Sequence, residues 1–161
     1  MESLLGRAER AGALLKARGE TIAVSESSTG GLVSAALLAV PGASAYFRGG
    51  AVVYTGIARS ALLGIGAAEM TGLRSASEAY AALLARTMRQ RLDTDWAIAE
   101  TGAAGPAGNS YGDQPGHTCL AVIGARELVT TLETGRADRV GNMRDFAGAM
   151  LDLLLDALDA T

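Results

Sequence analysis

The sequence predicts a single three-layer α/β/α domain, an α/β fold with a mixed sheet, on three observations. Helix-period runs alternate with short β-branched runs through the first two-thirds of the 161 residues. Two strand-like runs then follow one another across Gly124-Ala125-Arg126-Glu127, which makes them an antiparallel pair beside strands joined by helices. With 49% hydrophobic and 19% charged residues, the chain can bury a proper core and is unlike a disordered segment.

Leu4, Leu5, Ala8, Ala11, Leu14 and Leu15 recur at helical spacing among charges, and Gly19 ends that helix. Residues 21–25 read as a buried strand, and about 30–40 as a helix stopped near Pro41-Gly42. Ala45-Tyr46-Phe47 and 50–54 read as two extended segments flanking Arg48-Gly49. Ala58–Leu63 is a short helix ended by Gly64. Ser77 caps a helix running to Leu92. A buried strand at 95–99 is followed by a glycine-rich loop from Gly102 to Gly116. Strands at 118–123 and 128–132 precede a strongly amphipathic helix from Asp138 to Leu158.

Net charge is -3, and no basic stripe marks a nucleic-acid binder. Arg86, Arg89 and Arg91 read as a solvated helix face. Cys119 and His117 are the only residues of their kinds, so an internal disulfide is impossible and a zinc centre is not expected. No apolar run reaches membrane-spanning length. The early charges of the N-terminus lack a signal-peptide core. The expectation is a soluble cytoplasmic protein that needs no cofactor and no metal.

Ser25-Glu26-Ser27-Ser28-Thr29-Gly30-Gly31 joins the first strand to the second helix. Such a turn gathers hydroxyls and free N–H groups at the positive end of a helix. It suits a serine nucleophile with an oxyanion hole or a phosphate cradle; equally, the hydroxyls can serve only as helix caps. The chain has no P-loop, no dinucleotide fingerprint and no nucleophile-elbow motif.

Several blocks, in order, resemble the CinA C-terminal domain family, the nicotinamide mononucleotide deamidases. Glu26-Ser27-Ser28-Thr29-Gly30-Gly31 is similar to the family's E-S-C-T-G-G. Residues 40–50, Val-Pro-Gly-Ala-Ser-Ala-Tyr-Phe-Arg-Gly-Gly, are similar to V-P-G-S-S-A-x-F-x-G-G. Leu62-Leu63-Gly64-Ile65, Ala76-Ser77-Glu78 and Thr101-Gly102-Ala103-Ala104-Gly105-Pro106 resemble L-L-G-V, V-S-E and S/T-G-I-A-G-P. The resemblance implies a metal-free amidase that converts nicotinamide mononucleotide to nicotinate mononucleotide and ammonia, using a serine nucleophile and a lysine base. It also implies a homo-oligomer. Longer members carry a nucleotide-processing domain ahead of this one, so no metal-dependent pyrophosphatase activity is expected.

Carried over, the nucleophile is Ser27. Ser28 and the backbone N–H groups of Thr29, Gly30 and Gly31 are expected to hold the oxyanion or the substrate phosphate. Gly102, Ala103 and Gly105 shape the opposite wall. The chain departs from the pattern at the base: the family's Y-S-N-E-A-K is Tyr54-Thr55-Gly56-Ile57-Ala58-Arg59 here. An arginine, with a pKa above ~12, takes no proton near neutrality. The substitute bases are His117, with an unperturbed pKa of ~6.5, and Tyr54, activated by a nearby Arg59. The leading expectation is a divergent amidase. A binding module, with Arg59 paired to a phosphate or carboxylate, ranks second. An oligomeric regulatory or scaffold protein ranks third.

Overall fold

The computed structural model describes residues 1–161. The order is α1 (Glu2–Arg18), β1 (Ile22–Glu26), α2 (Leu32–Leu38), a 3-10 turn (Ala43–Ala45), β2 (Phe47–Val52), α3 (Gly56–Leu63), α4 (Glu78–Leu92), β3 (Trp96–Ala103), β4 (His117–Ile123), β5 (Glu127–Glu133) and α5 (Arg139–Asp159). The sheet order is β2-β1-β3-β4-β5. β1 lies parallel to both β2 and β3, while β3-β4 and β4-β5 are antiparallel. The predicted mixed sheet and three layers are both present.

Strand alternation divides the core in two. One face directs Ile22, Val24, Trp96, Ile98, Leu120 and Val122 into a cluster with α1, α2 and α5. Each large side chain buried there contributes roughly 1.5–3 kcal/mol. Trp96 finds a partner for its Nε1–H in Glu20, at 2.8 Å. The other face presents Ala23, Ala97, Ala99 and Ala121 to α4, which answers with Ala81, Ala82 and Ala85. Small residues on both sides let α4 lie close over the sheet.

Helix boundaries follow their caps. Gly19, in the left-handed region, closes α1. The Ser77 hydroxyl accepts from Tyr80 N–H at the start of α4. The two extended segments expected around Arg48-Gly49 are one continuous strand, and Ala43–Ala45 is a 3-10 turn. The glycines do not interrupt β2: at Gly50 a Cβ would meet Ser34 Oγ at 2.5 Å, so the missing side chain is what lets α2 approach the strand. β3 runs on to Ala103, so Gly102 and Ala103 are strand residues. His117 opens β4, opposite Ala103, instead of lying in a loop. No helix is long and apolar enough to cross a membrane.

Candidate functional site

The chain leaves β1 toward β2 on one side and later returns to β3 on the other. The carboxyl end of β1 is therefore a topological switch point, where an α/β sheet opens a crevice. Ser27 follows the last residue of β1 and lines a cavity of about 250 Å3 with Tyr54, Arg59, Tyr80, Thr101 and Asn109. The Ser27 hydroxyl has no hydrogen-bond partner, whereas its N–H is held by Glu100 and its carbonyl by Gly30 N–H. A second compartment of about 280 Å3 is lined by Ser28, the segment from Gly102 to Asn109, and Arg139. The two share Tyr54, Gly102 and Asn109, so they form one continuous cleft. Gly102, Ala103 and Gly105 line this second compartment.

Two buried carboxylates build the turn that presents Ser27. Glu100 accepts from Ser27 N–H (3.1 Å), Thr29 N–H (2.9 Å), Thr118 Oγ1 (3.1 Å) and the Ser28 hydroxyl. Glu26 accepts from the N–H groups of Gly31 (2.9 Å), Val33 (3.1 Å) and Ser34 (2.8 Å), and from Ser34 Oγ (2.7 Å). Thr29 Oγ1 lies within 2.8 Å of Glu26 and 2.9 Å of Glu100, and its single proton serves one of them at a time. Buried charges demand such donors, and this overturns one expectation. The N–H groups of Thr29 and Gly31 are bound to carboxylates, and that of Gly30 to Ser27 O at 3.2 Å. They form neither an oxyanion hole nor a phosphate cradle. Gly30 and Gly31 line neither compartment; Gly31 instead supplies the positive φ of 99° that the entry to α2 requires. Within the turn, the N–H left without a partner is that of Ser28, the residue after the candidate nucleophile.

Sequence reasoning quoted Glu26 but gave it no role, and passed over Glu100 and Arg139. The available signals were acids directly following two strand-like runs, Glu26 after 22–25 and Glu100 after 96–99, where a charge at a buried position demands donors.

Arg59 is held by a bond from Nε to Ile65 O, at 3.1 Å. Its guanidinium carbon stands 6.0 Å from the Tyr80 ring centroid. Burial raises the Tyr80 pKa, and Arg59 only partly offsets this. Arg7 and Arg59 are the half-buried arginines; Arg7 is paired with Asp152, whereas Arg59 has no acid partner. Tyr54, 57% exposed, meets Arg139 and not Arg59: Arg139 donates to its hydroxyl at 3.2 Å and to Gly105 O at 2.6 Å. The expected activation of Tyr54 by Arg59 is therefore absent.

His117 is not at the site as a base. Its Nε2 lies 2.9 Å from Ala76 O, and its Nδ1 faces the Glu133 carboxylate. Both partners are acceptors, so both nitrogens must donate and neither is free to take a proton. Burial pushes its pKa down, but Glu133, Ala76 O and the nearby Asp113 outweigh burial and the net shift is upward. His117 instead braces the cleft wall, because Ala76 N–H also bonds Thr101 Oγ1 at 3.2 Å. No group of three or more His, Cys, Asp and Glu side chains is gathered to hold a metal ion.

The family model of the CinA C-terminal domain matches residues 6–158. The chain belongs to the CinA C-terminal domain family. A CinA-like protein of Parasynechococcus marenigrum (strain WH8102) is 39% identical over 147 residues, which is 91% of this chain and 34% of that protein. A CinA-like protein of Chloroherpeton thalassium is 36% identical over 158 residues, covering 95% of this chain and 37% of the relative. The chain thus spans about a third of the length of these curated CinA relatives. The crystal structure of competence/damage inducible protein CihA from Agrobacterium tumefaciens superposes with a TM-score of 0.89 at 29% identity, covering 98% of this chain and 96% of that one. A CinA superfamily protein from Klebsiella pneumoniae 700603 shares the fold, with a TM-score of 0.91 at 24% identity over 98% and 99% of the two chains.

Proposed function

We propose that the cleft binds a pyridine mononucleotide, with the phosphate toward Arg139 and the ring substituent toward Ser27 and Arg59, and that amide hydrolysis there is residual. The observation that carries this reading is one cleft holding an unbonded serine hydroxyl and two arginines free of acid partners. Guanidinium groups suit phosphate and carboxylate recognition. A neutral serine needs a neighbour to take its proton, and each candidate is otherwise engaged or permanently charged. The second reading is a working amidase. It is favoured by the free Ser27 hydroxyl beside the free Ser28 N–H, which together supply a nucleophile and one oxyanion donor.

Calorimetric titration with nicotinamide mononucleotide, run beside an ammonia-release assay, separates the two. Binding with ammonia release no greater than that of Ser27→Ala supports the first reading. Rapid release abolished in Ser27→Ala establishes the second. Absence of both binding and release removes both.

A further inference from the structure

The half of the cleft that holds Ser27 differs from an amide site in one respect: the charge beside the nucleophile is fixed and unneutralised. Arg59 uses Nε on the Ile65 carbonyl, which leaves its terminal nitrogens near the neutral Tyr80 side chain and without an acid partner. None of the residues lining either compartment is an Asp or a Glu. The nearby acids are all committed elsewhere. Glu26 and Glu100 face the N–H groups of the turn, and Asp113 is held by Arg74 at 2.6 Å and by Asn109 at 2.8 Å. The second compartment is lined by Arg139, which likewise lacks an acid. A cleft with one acid-free arginine in each of its two compartments matches a ligand with two anionic groups.

Resting on the mononucleotide reading, we propose that the preferred ligand is the carboxylate-bearing pyridine mononucleotide and not its carboxamide. A carboxylate can accept both terminal N–H groups of Arg59 in a fork, while an amide offers one oxygen and turns a donor toward the guanidinium. Burying half of Arg59 without a counter-charge is unfavourable in the empty cleft, and an anionic ligand relieves it. The hydroxyls of Ser27 and Thr101 on the same wall can donate to the carboxylate's remaining lone pairs. The charge that prevents Arg59 from acting as a base is the charge that selects the acid.

The experiment is calorimetric titration of the full chain with nicotinate mononucleotide and with nicotinamide mononucleotide, at equal pH and ionic strength. Preference for the acid by about tenfold or more, the size of one charge-assisted hydrogen bond, supports the proposal. In Arg59→Gln, checked for an intact thermal transition, the ratio of the two affinities falls to about one. Arg59→Met serves as a second variant: it keeps the apolar stem but has neither the charge nor the fork, so its ratio also falls to about one. Equal affinities in the parent, or an undiminished ratio in Arg59→Gln, overturn the proposal and leave the mononucleotide reading standing. Failure of the parent to bind either nucleotide overturns both.

Discussion

Replacing Glu26 and Glu100, one at a time, with glutamine exchanges one oxygen for NH2 in each of two buried carboxylates, yet the structure predicts unequal losses. In Glu100, one oxygen receives the backbone donors Ser27 N–H and Thr29 N–H, and the other receives only the hydroxyls of Ser28 and Thr118. A glutamine can place its oxygen on the backbone side and its NH2 on the hydroxyl side. Hydroxyls can turn to accept, and Thr118 can then donate to Thr101 O, which it already approaches at 3.3 Å. The Ser28 hydroxyl, which lines the cleft, can turn its proton to water; every buried backbone donor stays bonded and the charge assistance is lost, about 1 kcal/mol. In Glu26, both oxygens receive backbone donors: Gly31 and Val33 on one, Ser34 on the other. An amide there must point N–H at N–H. An orphaned buried donor costs ~1–3 kcal/mol more, so Glu26→Gln should lose about 3 kcal/mol in total. Relief of repulsion across the shared Thr29 hydroxyl is common to both variants and drops out of the difference. Chemical denaturation of the two variants should therefore differ by ~2 kcal/mol, or by ~4–8 °C in Tm. Equal losses, or a greater loss in Glu100→Gln, would refute the division of donors described for the turn.

Arg59→Lys places a partly buried amine, whose pKa burial lowers toward neutrality, in the cleft with Ser27; ammonia release from nicotinamide mononucleotide should rise at least ~tenfold, and a flat result denies that the missing base limits turnover. The His117 pKa is raised on folding, so its contribution to stability is full below the unfolded value of ~6.5 and fades as pH climbs through the folded value. Denaturation curves from pH 6 to pH 9 should show that decline in the parent and a flatter profile in His117→Gln; parallel profiles count against the imidazolium assignment. Ser25 Oγ is buried with no partner, so Ser25→Ala should leave stability unchanged or raise it by up to ~1 kcal/mol; a clear loss of stability would reveal a partner for that hydroxyl.

The layer architecture was legible because its signals are local. Gly19 after an amphipathic run, Ser77 ahead of another, and the alternation in 95–99 and 118–123 each depend on neighbours a few residues away. The continuity of β2 was not legible, since the tolerance of Gly50 within a strand depends on Ser34 across the α2 contact. At the site, the sequence resemblance located Ser27, Tyr54, Arg59 and the 102–105 wall. It could not show which groups were already bonded. Glu100 reaches the 27–29 turn from more than 70 residues away, and Arg139 meets Tyr54 across 85. His117 looked like a base because its partners, Ala76 O and Glu133, lie 41 and 16 residues distant. Chemistry decided by long-range partners leaves little trace in spacing.

The alanine layer between α4 and the sheet has a consequence for the shape of the ligand site. Ser75, Ala76 and Tyr80, one wall of the cleft, ride on the entry to α4. The height of that wall is set by methyl groups meeting methyl groups in the core beneath it. Those methyls act as shims. Thinning one to glycine or thickening one to valine at Ala97 or Ala121 would reset the gauge of the opening without altering a single residue that touches the ligand, so selection for a different guest can proceed from inside the protein.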